Sequence, residues 1–232
     1  MTYHNIAETN NEIIYKSATI EEIEEYSQKV INNELECNLN NCPICNTKPS
    51  FYKRHAKRKR RLYILVNQLV EVVIAYFMRW KCTNCGKTFV QYPDFAIPFK
   101  RYTLLTILSY CKQYIENDEL SYEKISSLTP IEYKVQNNEL NTKELYHSTI
   151  HRWINTLGSY TKMISDSYSF LSEKYSSWNI TKDFDIPKKK YRNDFQQIVL
   201  INCKKLLYLE NIYKKKLGFS IFPNPATKYA FN

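Results

Sequence analysis

The sequence predicts an α+β chain in which an N-terminal helix and a β ribbon precede a mainly α-helical, helix-turn-helix-like domain. Three observations predict it. Two cysteine pairs, "CPIC" at 42–45 and "CTNC" at 82–85, bracket a segment rich in Val, Ile, Tyr and Phe. That segment carries strand-like runs. After a link containing two prolines, apolar residues recur at helical spacing. With 232 residues, the chain is long enough for one sizeable core or two small ones. We divide it into an N-terminal helical segment (1–39), a ribbon with a basic loop (40–92), a helical domain (100–175) and a basic C-terminal helix and tail (176–232).

Each element has its own signal. Thr19 with Glu22 three positions on makes a capping box, and Ile20, Ile23, Tyr26, Val30 and Ile31 recur on one side of the first helix. Glu21, Glu22, Glu24 and Glu25 suit the positive end of that helix and form a solvated acidic face. Residues 62–66 and 70–81 read as two strands joined at Asn67 and Gln68, the second covered on both faces. "YPDFAIPFKRY" links strands to helices. Leu104, Ile107, Leu108, Cys111, Tyr114 and Ile115 form a wide apolar stripe, and "SYEKISSL" reads as a short helix capped by Ser121. "TPIEYKVQNNELNTKE" has no assignable period. From Ser148, taken as a cap, one helix carries Ile150, Trp153, Ile154, Leu157, Met163 and Ile164 inward. A last helix is expected over 191–216, stopping at Gly218.

Charge is unevenly spread. The net of +10 divides into −6 for residues 1–47, +12 for 48–112, −3 for 113–160 and +7 for 161–232. A polyanion is the natural partner of the second segment, because phosphates bound there release counterions. No run has the 18 or more apolar residues that span a bilayer. The first residues lack the basic start and apolar core of a signal peptide. The expectation is a cytoplasmic chain with no membrane partner, whose seven cysteines are metal ligands and buried thiols rather than disulfides.

Cys42, Cys45, Cys82 and Cys85 form two Cys-x-x-Cys turns, and 36 residues separate Cys45 from Cys82. Each turn can aim two sulfurs at one ion, and four thiolates about 2.3 Å from a metal complete a tetrahedral zinc site. Iron in a rubredoxin-like site uses similar turns, so spacing leaves both metals open. The basic setting, and Asn46 where the second turn has Gly86, favour zinc. Four unligated thiols would be the bland reading, and polar turns in doublets argue against it. Cys37 and His55 read as bystanders, and Cys111 and Cys203 as small buried side chains. A closed four-cysteine site has no open position for water, so the expected cofactor is structural zinc.

Residues 48–61 hold eight cations and no acid. Such runs are often only solvated loops. Projecting from a stapled strand pair, Lys53, Arg54, Lys57, Arg58, Lys59, Arg60 and Arg61 read as phosphate contacts, which add affinity without sequence choice. Sequence choice falls to "STIHRWINTL". Ser148, Thr149, His151 and Arg152 would lie at the exposed start of a recognition helix, with Arg152 suited to guanine edges. The 19 residues between Leu128 and Ser148 exceed a plain turn, so either the turn carries an insertion or residues 143–147 extend the helix. An ordinary helical bundle is the competing reading.

"CPIC … RWKCTNCGKTF", then "YPDFAIPFKRYTLLTI", "LSYEKIS" and "STIHRWI", resembles the zinc-ribbon plus helix-turn-helix modules at the N-termini of bacterial insertion-sequence transposases, and related small stand-alone proteins. The resemblance covers about residues 40–160. It implies zinc on Cys42, Cys45, Cys82 and Cys85, a reader helix beginning at Ser148, and double-stranded DNA as partner.

A transposase of the integrase type needs three carboxylates on a ribonuclease-H-like sheet holding two metals. Residues 161–232 are too few for that domain, and Asp183, Asp185, Asp194 and Glu210 fall in a basic, mainly helical tail. The expectation is therefore no catalytic centre. The sequence reads as a zinc-ribbon DNA-binding protein of a mobile element, an accessory factor or regulator. The alternatives are an adaptor that recruits a transposase or self-associates, and a non-catalytic transposase fragment.

Overall fold

The capping box at Thr19 forms. The Thr19 hydroxyl accepts from the Glu22 amide at 3.2 Å, and the Glu22 carboxylate accepts from the Thr19 amide at 3.0 Å. Helix α1 (Ile20–Ile31) starts from it. The computed structural model describes residues 19–66, 69–127, 131–134, 140–143, 145–175, 184, 186–191 and 193–222. It has an α+β architecture: α1, a three-stranded antiparallel sheet, then helices around a separate core. Within α1, Ile23 and Val30 are buried as expected, but Ile31 is exposed and Ser27 takes the inward position. The Ser27 hydroxyl donates to the Ile23 carbonyl at 2.7 Å and accepts from the Tyr76 amide at 3.1 Å.

That amide belongs to β2 (Leu69–Cys82), the central strand of the sheet. On one side β2 pairs with β1 (Tyr52–Val66), in register from Tyr52 opposite Cys82 to Val66 opposite Leu69. On the other, β3 (Thr88–Val90) reaches only Arg79 to Lys81, and α1 covers the strand beyond it. The basic run is therefore strand, not the loop expected from its charge. Its partner β2 is apolar from Val72 to Met78 and continues as strand through Arg79, Trp80 and Lys81 to Cys82, and β1 pairs with it over that whole length. Cations are tolerated there because β1 is the sheet's edge, where long side chains reach water. His55 is the extra residue at a bulge, since Arg54 pairs with Trp80 and Ala56 with Arg79. The turn at Asn67 and Gln68 lies outside the described residues.

One sheet core gathers Ile23, Leu62, Ile64, Val73, Ala75 and Phe77 with Phe95 and Ala96 of the link. A second surrounds the cysteine turns with Val30, Leu39, Met78, Trp80 and Phe89. The link is thus docked. The Tyr63 amide donates to the Arg101 carbonyl at 2.8 Å, the Thr103 amide to the Tyr63 carbonyl at 2.9 Å, and Ile97 enters the helical core.

That core is built by α2 (Leu104–Glu116), α3 (Tyr122–Ser127), α4 (His147–Gly158), α5 (Thr161–Lys174) and α6 (Asp194–Leu217). Between α3 and α4 stands a two-stranded hairpin, β4 (Ile131–Lys134) with β5 (Leu140–Lys143), which is the insertion alternative. The single long helix expected from Ser148 is two. Helix α4 begins one residue earlier, with Tyr146 at its N-cap and no side-chain cap, and the chain breaks at Ser159 and Tyr160 before α5. Helix α6 opens at Asn193, whose side chain accepts from the amides of Phe195 and Gln196, rather than near Tyr191. Tyr191 instead joins a cluster where Tyr114 and Tyr122 stack at 3.9 Å and the hydroxyl of each lies 2.6 Å from the Tyr191 hydroxyl. Glu210 is buried and accepts from the Ser220 hydroxyl and the Ile221 amide, fastening the segment after Gly218 to α6. Among the described residues, no helix is long and apolar enough to cross a membrane.

Gly158 explains the close approach of α4 and α6. A Cβ there would sit 2.2 Å from the Val199 carbonyl oxygen. In an exposed helix Gly→Ala stabilises by about 1 kcal/mol. Here Gly158→Ala should instead destabilise by roughly 1–3 kcal/mol through overpacking. Thermal melts of Gly158→Ala and Ser159→Ala side by side should show the loss only in the first.

Candidate metal centre and basic strand

The two cysteine turns share one backbone design. The Cys42 amide donates to the Thr47 carbonyl at 2.7 Å, as the Cys82 amide does to Lys87 at 2.9 Å. The Asn46 amide donates to the Cys42 carbonyl, and the Gly86 amide to Cys82, each at 2.9 Å. Closing the turn this way places the residue after the second cysteine in the left-handed region, with φ 60° at Asn46 and 70° at Gly86. Asparagine is among the few non-glycine residues that tolerate this conformation. Asn46 therefore does the same work as glycine, and its presence does not discriminate between metals as the sequence reading supposed.

The four sulfurs lie within 4.8 Å of one another. Cys42 Sγ is 4.0 Å from Cys85 Sγ, and Cys45 Sγ is 3.7 Å from Cys82 Sγ. Four thiolates at about 2.3 Å from one tetrahedral ion stand about 3.8 Å apart. The donor set therefore fits a metal ion, and among the described residues no other group of three or more such side chains comes this close. Amides of Cys45 and Ile44 point at the Cys42 sulfur, that of Thr47 at Cys45 and that of Lys87 at Cys85. Such donors stabilise negative sulfur. Sequence reasoning missed the side chains that join the turns. Asn84 donates to the Thr47 hydroxyl at 2.7 Å and to Cys45 Sγ at 3.8 Å, and the Thr47 hydroxyl itself lies 3.1 Å from that sulfur. The Thr47 hydroxyl, with the Thr47 amide behind it, pulls the Cys45 thiol down to about 6, whereas burial pushes Cys42 up. Cys37 and His55 stay outside the group. Cys111 and Cys203 are fully buried on α2 and α6.

The basic strand divides by use. The Arg54 guanidinium donates to the Leu35 carbonyl at 3.0 Å and lies over Trp80. The Lys57 ammonium donates to the Ile31 carbonyl, at the negative end of α1. Arg60 lies 5.5 Å from the Phe77 ring centroid and 5.4 Å from that of Tyr92. These three are tied to the fold. Lys53, Arg58, Lys59 and Arg61 are exposed, and none takes part in the ion pairs found among the described residues.

On α4, Ser148 and Thr149 are half-buried, and His151 packs edge-on against Tyr122 while meeting the Asn155 side-chain amide. Arg152 alone of the four is exposed. It faces Lys100, a second cation whose ammonium burial and then Arg152 hold below the usual lysine range. Of the carboxylates in the C-terminal segment, Asp194 opens α6, Glu210 is bound within the fold, and Asp183 and Asp185 lie outside the described residues.

Residues 42–153 match the model of a family described as a domain of unknown function (DUF6431). The match begins at the first cysteine of the metal group and ends at Trp153 in α4. No curated protein and no solved structure matches the chain.

The left-handed turn makes a test of the site. Asn46→Gly should retain metal affinity, whereas Asn46→Val should weaken it about tenfold, since a branched side chain costs about 1–2 kcal/mol there. Competition with a chromophoric chelator measures both.

Proposed function

We propose that this chain is a DNA-binding protein in which a structural zinc ion on Cys42, Cys45, Cys82 and Cys85 holds a basic hairpin against the phosphate backbone of duplex DNA. The carrying observation is the row of exposed cations on an edge strand, Lys53, Arg58, Lys59 and Arg61, which stand outside the ion pairs found among the described residues. An exposed edge lets a polyanion approach side chains that leave both faces of the sheet. Helix α4 adds Arg152 as the candidate base reader. A set of four thiolates leaves no position for an activated water, which supports a structural rather than catalytic ion. The resemblance over residues 40–160 suggests a mobile element as the setting, with the protein as accessory factor or regulator and not an enzyme.

An adaptor reading has its own support. Phe195 and Ile198, one turn apart at the start of α6, are 69% and 55% exposed and offer an apolar face to a transposase or a second copy.

Elemental analysis of freshly purified protein should find one zinc per chain, and Cys82→Ser should lose it while the circular dichroism of the later helices persists. Iron with a red colour would replace zinc in this account, and no metal at all would end it.

Replacing Arg58, Lys59 and Arg61 together with Ala should weaken binding to every duplex and lower the slope of log affinity against log salt by about 2–3 units. Arg152→Ala should cost about 1–3 kcal/mol on a selected site and little on scrambled DNA. An unchanged slope for the triple variant would favour the adaptor.

A further inference from the structure

Between the ribbon and the helices lies a cleft of ≈ 990 Å³. Arg58, Lys59, Arg60 and Arg79 line it from the ribbon, Lys100 from the link, and Thr156, Tyr160 and Met163 from the helices. Among the described residues, five cations and no acid line it. Arg79 is held by the Thr88 hydroxyl at 2.9 Å and Arg60 by the Phe77 and Tyr92 rings. Arg58, Lys59 and Lys100 take part in none of the ion pairs found among the described residues, and Arg152 adds a further positive charge beside Lys100.

Phe99 also lines this cleft and is 90% exposed. Its backbone has φ 64°, in a turn closed by the Lys100 amide donating to the Ile97 carbonyl at 3.2 Å. Pro98 occupies the second position of that turn and Phe99 the third, where a positive φ calls for Gly or Asn. A bulky aromatic in this conformation is a genuine outlier. The neighbouring Ala96 and Ile97 are buried, so the segment has cores to fill and spends neither on this ring. Strain of this kind, retained without burial in return, points outward to a ligand.

We propose that the cleft binds an unpaired stretch of nucleic acid, with phosphates on Arg58, Lys59 and Lys100 and one base stacked on Phe99. Cationic grooves with projecting aromatic rings take single strands because every nucleotide brings both a phosphate and a π-face. The volume is that of small-ligand sites, enough for a few nucleotides and not for a double helix. The inference rests on the DNA-binding reading and narrows it: the protein recognises duplex in which some bases are open.

The test compares three probes at one salt concentration: a blunt duplex, the same duplex with a central unpaired bubble, and an oligoglutamate peptide. Fluorescence anisotropy follows binding by wild type, Phe99→Ala and Phe99→Trp, and a 2-aminopurine in the bubble reports stacking. Wild type should prefer the bubble and quench the 2-aminopurine. Phe99→Ala should lose about 5- to 100-fold on the bubble, leave duplex affinity within about twofold and abolish quenching, and Phe99→Trp should restore all three. Phe99→Gly should melt higher than Phe99→Ala, because glycine relieves the backbone; this separates loss of stacking from loss of fold. Equal wild-type affinity for bubble and duplex, equal losses on both for Phe99→Ala, or tighter binding of the peptide than of the bubble would overturn the inference and leave the duplex reading standing. Bubble binding without duplex binding would overturn the duplex reading instead.

Discussion

The register of the long hairpin is the constraint on which the rest of the structure depends. At one end Tyr52 stands opposite Cys82, so the second cysteine turn follows directly from the strand that positions it. At the other end Tyr63 is bonded to Arg101 and Thr103, which seats the helices. A one-residue slip would send every side chain to the opposite face. It would displace Leu62 and Val73 from the core and move Cys82 away from Cys45. The bulge at His55 lets the two ends satisfy different demands on one strand.

Charge is distributed along this hairpin by function rather than by density. Arg54 and Lys57 hold carbonyls at the end of α1 and beyond it, and Arg60 covers the rings of Phe77 and Tyr92. Those contacts resemble the use of lysine and arginine stems in any fold, as covers for apolar surface and partners for helix ends. What remains, Arg58, Lys59 and Arg61, is offered to solvent from an edge. The link contributes Lys100 to the cleft and Arg152 of α4 lies near enough to act on it, so positive charge from three segments converges, with no carboxylate among the described residues that line the cleft.

Much of this is legible in the sequence. The α+β class followed from the cysteine doublets and the change of period after residue 100, and the capping box at Thr19 and the stop at Gly218 carried their own chemistry. The four-cysteine group that could hold a metal was legible because a Cys-x-x-Cys turn encodes its geometry locally. The basic run reads as a loop because charge masks the alternation of a strand, and only its pairing with β2 shows what it is. The break at Ser159 was hidden for a different reason: the apolar spacing continues through it, and the decisive contact is between Gly158 and Val199, about forty residues away in sequence. Asn84, Thr47 and Lys100 lacked any signal, since each acquires its role from a partner on another segment.

An edge strand is also a surface on which another strand can add. Between Ala56 and Leu62, β1 presents backbone groups that β2 does not use, a template for pairing with a second molecule. Like charge guards that template. Two such edges repel at separations comparable with the Debye length, about 10 Å at 0.1 M salt. The protection therefore belongs to the solution as much as to the protein. Concentrated salt shields the edges while leaving their amides open. Ionic strength therefore sets how far the charge keeps two such edges apart, and dilute buffer is the regime in which the guard acts at its longest range.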